Sequence, residues 1–425
     1  MNPTVYLIHS PPCWLKTPPL GPLYLAKYST QKGIPCGIID LNKELFLVSK
    51  SSTANWLTLS RSFEENLFAA TQERYPHVLE HLYRTIEPAS FIGLSLFKRN
   101  LSFALSLAEK IHERFPSKKI ILGGPETLVL DRSGRLDQRY RWVIGEGEIP
   151  LYAMLQDDAI KVQRFREIEE LDTIPFVDFD VFDRGHDARA LPIVSSRGCI
   201  WSCNFCSEKN LYKKFRHHSP AYVTGHIKHL VKKHNVHTFI FCDSLINYSN
   251  GWLSEFCELL LKEELAIQWE AQMRVDGAFP LELGRLMKKS GCYNLFVGLE
   301  SACDKTLRSM QKGFTVKNAL DFFITLADAG LQFEISLILG YPGETHQDFE
   351  ETIEFIKKNK RSIPKIAQAN QFVDYNNECG DVSLPAEDAQ KKIQRFCAML
   401  AEEKISYTRR YIGNLMYPHC AKGAR

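Results

Sequence analysis

Three cysteines, Cys199, Cys203 and Cys206, stand at the spacing C-x3-C-x2-C within the run Ser-Ser-Arg-Gly-Cys-Ile-Trp-Ser-Cys-Asn-Phe-Cys. Thiolates are ligands for soft metals, and a four-iron cluster is ordinarily held by four of them. A compact set of three therefore points to a [4Fe–4S] cluster with one iron left open to a substrate or a second cofactor. The competing chemistry is structural zinc, with His217 or His218 completing a Cys3His set. The x3 interval and the lack of a following C-x2-C pair speak against zinc. Unrelated core thiols would not gather so tightly on one Gly-containing turn.

The apolar pattern around this loop is that of alternating strands and helices. Pro192–Ser195 reads as the strand that delivers the cysteines. Further strands are expected at 237–242, 267–272, 294–299, 333–339 and 366–373, with helices at 222–233, 252–262, 281–290, 316–329 and 348–358 between them. Six such units make a partial β/α barrel, whose chemistry lies at the C-terminal strand ends. Those ends carry Asp243, Asn247, Arg274, Glu300 with Ser301, and the loop Leu339-Gly-Tyr-Pro-Gly-Glu-Thr345, which contains Gly340. An arginine there could pair with a carboxylate, and a glutamate could accept from hydroxyl or amino groups. Alone, each is an ordinary surface salt-bridge partner.

Upstream, short apolar strands at 5–9, 37–40, 91–97, 119–122 and 142–144 alternate with helices at 23–31 and 101–115, and residues 43–89 read as a helical insertion. This predicts a parallel sheet covered on both faces. Its C-terminal loops carry Ser95, then Gly123-Gly124-Pro125, then Gly145-Glu146-Gly147, and ligands of open α/β sheets bind outside that edge. His9 reads as a core histidine. Residues 161–190, rich in charge, read as a linker. The tail from 376 to 425 holds one helix, at 387–405, and Cys379, Cys397 and Cys420 are spaced as ordinary thiols.

Over 425 residues, 53 basic against 50 acidic side chains leave a charge of +3, too little to imply nucleic acid or an anionic membrane as partner. The first residues lack a secretory signal, and no apolar run is long enough to span a bilayer. Twelve cysteines then suit a reduced, cytoplasmic compartment, as metal ligands and free thiols.

Taken in order, Gly198 and Phe205 around the cysteines, Gln272-Met-Arg274, Val297-Gly-Leu-Glu-Ser301, Leu307–Lys312 and Leu339–Thr345 resemble the radical S-adenosylmethionine (SAM) enzymes, and the Gly-rich series before them resembles the cobalamin-binding domain of one class of that family. The resemblance is to class B radical SAM methyltransferases. It implies an α/β fold: a Rossmann-like (flavodoxin-like) cobalamin-binding domain over 1–160, a linker over 161–190, a partial (β/α)6 TIM-type barrel over 191–375, and a short helical tail. It implies a [4Fe–4S] cluster on Cys199, Cys203 and Cys206, SAM held by Phe205, Arg274, Glu300, Ser301 and Gly340, and cobalamin held without a protein histidine by Ser95, Gly123, Gly124, Pro125, Gly145, Glu146 and Gly147. The activity implied is methylation of an unactivated carbon of a small molecule, with electrons from a donor such as flavodoxin or ferredoxin. Radical cyclisation or rearrangement, and a sensor without catalysis, are the alternatives.

Overall fold

The computed structural model describes residues 3–15, 17–51, 56, 67–180, 190–373 and 386–407. It divides into two compact units.

The first unit runs to Pro192 and adds Leu211–Arg216 and Lys232–His234. Strands β1 (Val5–Ile8), β2 (Cys36–Ile39), β3 (Phe91–Ser95), β4 (Lys119–Gly123), β5 (Arg141–Ile144) and β6 (Val162–Arg164) form one parallel sheet in the order β2-β1-β3-β4-β5-β6. Successive strand residues point to opposite faces. Thus Ile92, Leu94, Leu122, Trp142 and Ile144 enter one core, while Phe91, Ile121 and Val143 enter the other. The chain order reverses between β1 and β3, so the loops after these two strands flank the switch point of the sheet. Helices Leu41–Ser49, Leu67–Arg74 and Pro76–Ile86 occupy the described part of the insertion.

One difference from the sequence reading concerns residues 161–190. Val162–Arg164 is not linker but the edge strand β6, with Val162 opposite Trp142. The residues are Val-Gln-Arg, and an edge strand this polar carries no apolar run to betray it.

In the rest of the chain, β7 (Leu191–Ile193) is followed by the two-residue strands β8 (Ser196–Arg197) and β9 (Arg216–His217). Then come β10 (Thr238–Phe241), β11 (Gln268–Arg274), β12 (Cys292–Glu300), β13 (Phe333–Leu339) and β14 (Ile366–Gln371). The second sheet runs β14-β13-β12-β11-β10-β7, and the pairs from β10 to β14 are parallel. Crossover helices return the chain after each strand. Val316–Asp328 and His346–Lys358 each begin with a capping box, Thr315 with Asn318 and Thr345 with Asp348, worth about 1 kcal/mol apiece.

Helix Ala386–Glu402 buries Ile393, Phe396, Met399 and Leu400, and just beyond it Ser406 accepts a hydrogen bond from the Ile366 backbone at 2.9 Å. Residues 374–385, the chain beyond 407, and Cys379 and Cys420 lie outside the described residues. Among the described residues no helix is long and apolar enough to cross a membrane.

Candidate active site

The cysteine loop leaves β7 through Ser195 and Ser196, and a buried carboxylate fastens it there. Asp243 accepts hydrogen bonds from the Ser195 amide (2.9 Å), the Ser195 hydroxyl (2.8 Å) and the Ser196 hydroxyl (2.6 Å). Burial nevertheless pushes its carboxyl up to about 6. Within the loop the Cys206 amide donates to the Cys203 carbonyl at 3.1 Å, closing a turn. Asn204 ties the turn down: its amide donates to the Met310 carbonyl (3.1 Å) and its side chain to the Ser309 carbonyl (2.9 Å).

Burial raises the Cys199 thiol and pushes Cys206 up to about 11. Such thiols stay neutral until a metal displaces their protons. Their sulfurs do not form the close set that a single ion needs; among the described residues Cys303, Asp348 and Glu351 are the group that does. His217 stacks on Tyr248 and His218 on Tyr222, so both histidines are engaged in packing. The loop thus offers three thiols while both histidines pack on tyrosines, a donor set that suits a cluster with one open iron better than a Cys3His zinc site.

Arg274 ends β11. Asn247 clamps its backbone in both directions, accepting from its amide at 3.0 Å and donating to its carbonyl at 2.9 Å. The guanidinium lies over the Trp201 ring at 4.1 Å and the Phe314 ring at 5.3 Å, with Nη1 3.2 Å from Cys203 Sγ. Its Nη2 is buried with no hydrogen-bond partner among the described residues. A buried guanidinium donor without an acceptor is costly, and beside the cysteine loop it fits the carboxylate of a ligand.

Glu300 ends β12 with a left-handed backbone, φ 69°, where the register against β13 shifts between Gly298 and Glu300. Non-glycine residues rarely adopt this conformation. Here it sets the carboxylate 3.6 Å from the buried Lys312 ammonium and 3.2 Å from the Ser336 hydroxyl. Burial raises the Glu300 carboxyl, opposed chiefly by Lys312. Lys312 in turn faces the Phe205 and Phe314 rings. Two buried cations and one carboxylate thus share a wall of Trp201, Phe205 and Phe314, leaving an excess of positive charge for an anionic group.

The segment Ser309–Phe314 joins these parts. Ser309 and Met310 hold Asn204, Lys312 meets Glu300, Phe314 lies under Arg274, and the Tyr341 hydroxyl reaches the Ser309 carbonyl at 3.4 Å. Phe205 packs with Met310, Tyr341 and Phe372, next to Gly340, whose amide donates to Glu344 at 2.9 Å. Phe205, Arg274, Glu300 and Gly340 are brought together with the cysteines. Ser301 is not: its hydroxyl accepts from the Cys303 amide (3.2 Å) and meets Thr352 (3.4 Å), shaping the turn behind the strand. The sequence reading missed the roles of Trp201, Lys312 and Phe314. The signal available in the sequence was the resemblance carried by Leu307–Lys312, which did not say what Lys312 meets.

In the first unit, Ser95, Gly123, Gly124 and Pro125 do converge. A Cβ on Gly124 would stand 2.7 Å from the Leu96 carbonyl oxygen and 2.9 Å from Ser95 Oγ, and its φ is 95°. Only glycine lets the β3 and β4 loops approach this closely. Gly145 and Gly147 flank Glu146, whose carboxylate is engaged within the protein. It forms a buried ion pair with Arg216 and accepts from the Ile168 amide at 3.1 Å. A carboxylate this buried needs such partners, so Glu146 serves the fold instead of facing a ligand. His9 is buried and pairs with Asp40 at 3.0 Å.

Residues 193–356 match the Radical SAM superfamily. An uncharacterised methyltransferase of Pyrococcus horikoshii is 30% identical over 196 residues, 45% of this chain and 42% of that protein. The anaerobic magnesium-protoporphyrin IX monomethyl ester cyclase of Rubrivivax gelatinosus is 31% identical over 189 residues, 44% of this chain and 34% of that one. The chain thus spans less than half the length of these relatives. In fold it is similar to the cobalamin-dependent S-adenosylmethionine radical enzyme OxsB with aqua-cobalamin and S-adenosylmethionine bound. That likeness has a TM-score of 0.67 at 17% identity and covers 95% of this chain and 56% of that one. The three-cysteine loop and the strand-end residues Arg274, Glu300 and Gly340 all fall within residues 193–356, the part of the chain that matches the Radical SAM superfamily.

Proposed function

We propose that this protein is a cobalamin-dependent radical SAM methyltransferase acting on an unactivated carbon of a small molecule. Cys199, Cys203 and Cys206 would hold the [4Fe–4S] cluster, and the Ser95, Gly123, Gly124 and Pro125 edge of the first sheet would receive the corrin. When bound, the cluster supplies the electron that splits SAM into methionine and a 5′-deoxyadenosyl radical, and cobalamin carries the methyl group. Arg274 Nη2 takes the SAM carboxylate, Glu300 accepts from ribose hydroxyls or the amino group, and Trp201, Phe205 and Phe314 exclude water around them. The observation that carries the reading is Arg274, one nitrogen on the cysteine loop and the other without an acceptor. An electron donor of the flavodoxin or ferredoxin kind completes the system.

The test is anaerobic reconstitution with iron, sulfide and cobalamin, then turnover with methyl-labelled SAM and candidate substrates. Cobalamin should bind near one per chain, and 5′-deoxyadenosine, S-adenosylhomocysteine and labelled product should form in comparable amounts. The relative named as a cyclase supports a second reading, radical cyclisation. Substrate consumed with 5′-deoxyadenosine but no label in product would establish it in place of methyl transfer. A sensor has no need of the Arg274 and Glu300 constellation.

A further inference from the structure

The helix Ala386–Glu402 belongs to no part of the constellation above, yet one of its residues reaches the Gly340 loop. Lys392 Nζ stands 2.5 Å from Glu344 Oε2 and 3.4 Å from the Glu344 carbonyl oxygen. The same Oε2 accepts the Gly340 amide at 2.9 Å, so the carboxylate closes the loop Gly340–Glu344 into a ring. Both side chains are sequestered, Glu344 2% and Lys392 12% exposed. Lys392 also lies over the Phe349 ring at 5.4 Å, and Arg395, one turn on, pairs with Glu350 at 3.2 Å, so the helix is docked on His346–Lys358.

We infer that Lys392 is a positioning residue for SAM: it holds Glu344 ionised, and through Glu344 it fixes the Gly340 loop against the cysteine loop. The inference rests on the reading that Gly340 borders the SAM site. Burial raises the Glu344 carboxyl, and Lys392 is the first group that opposes this. A buried carboxylate that loses its counter-ion takes up a proton, and the neutral acid is a poorer acceptor for the Gly340 amide. The loop then loosens at the side where Tyr341 packs on Met310 and Phe205. The arrangement assigns the C-terminal helix a part in cofactor binding that its sequence does not reveal.

The experiment measures binding of radiolabelled SAM by equilibrium dialysis to the full chain after anaerobic reconstitution with iron and sulfide. Lys392→Met should retain its iron content and weaken SAM binding roughly tenfold. Lys392→Arg should restore most of the affinity. Glu344→Gln combined with Lys392→Met should also restore it, because a neutral amide oxygen accepts the Gly340 amide without needing a counter-ion; loss of mere helix packing would not be rescued this way. Wild-type affinity in Lys392→Met, or no recovery in either rescue variant, overturns the inference while leaving the proposed function standing. A wild-type protein that holds its cluster and binds no SAM overturns both.

Discussion

Arg274 Nη1 lies 3.2 Å from the sulfur of Cys203, a residue 71 positions earlier in the chain. The contact joins the end of β11 to the cysteine loop, and the second nitrogen of the same guanidinium has no hydrogen-bond partner among the described residues. Arg274→Met keeps the stem against Trp201 and removes the fork. Its iron content should match wild type, because the three proposed thiol ligands remain, while SAM affinity falls by about 2 kcal/mol, roughly 30-fold. Iron assay and SAM dialysis on one preparation check this. Unchanged affinity would remove Arg274 from the site.

Glu300 and Lys312 form a buried pair at 3.6 Å. Removing one partner strands the other charge, at a cost of about 3 kcal/mol. Glu300→Gln should therefore lower the melting temperature, and adding Lys312→Met should recover most of the loss. SAM binding should stay weak in the double variant, since the amide oxygen of Gln is a weaker acceptor than the carboxylate it replaces. Thermal unfolding of the two variants separates charge burial from ligand recognition.

Adjacent glycines in the first unit should behave differently. An added Cβ meets backbone at 2.7 Å at Gly124, where φ is 95°, whereas at Gly123 the nearest atom is Val143 Cβ at 3.7 Å. Gly124→Ala should cost about 2 kcal/mol or more and weaken cobalamin binding, with Gly123→Ala near neutral in both. Equal effects from the two would contradict the close approach of the β3 and β4 loops.

Asp243 gives a pH dependence of definite sign. Burial raises its carboxyl from 3.8 to about 6, so the folded protein holds the proton more tightly than the unfolded chain. The stability from this group is complete below pH 3.8 and is lost as pH rises through 6. Asp243→Asn cannot titrate. From pH 5 to 8, wild type should lose on the order of 1 kcal/mol relative to the variant. Melting curves at both pH values suffice, and a constant difference would show that the hydrogen bonds from Ser195 and Ser196 outweigh desolvation.

What the sequence made legible was local. Strands such as Phe91–Ser95 and Phe333–Leu339 are apolar runs bounded by turn residues, and the three cysteines declare themselves by spacing. Contacts made at long range were not legible. Glu146 stood in a Gly-rich loop that suggested a ligand, and the structure binds it to Arg216, 70 residues away. Ser301 followed Glu300 directly, but the left-handed backbone at Glu300 ends the strand there and turns the chain, and the Ser301 hydroxyl went to Thr352. Lys312 gains its meaning only from Glu300 and the rings beside it. The polar β6 had no periodicity to display.

The Asn204 clamp also has a bearing on how the protein is made. Its acceptors, the carbonyls of Ser309 and Met310, leave the ribosome about a hundred residues after the cysteines, and Lys392 later still. Until then the three neighbouring thiols lack the contacts that Ser309 and Met310 make with Asn204. Oxidants reach such sulfurs readily, and disulfides among them would block metal. Production in air should therefore damage the site during translation, before any cluster can be lost from a finished protein. Anaerobic synthesis with iron supplied should therefore raise the fraction of protein that takes up iron, compared with synthesis in air followed by the same reconstitution.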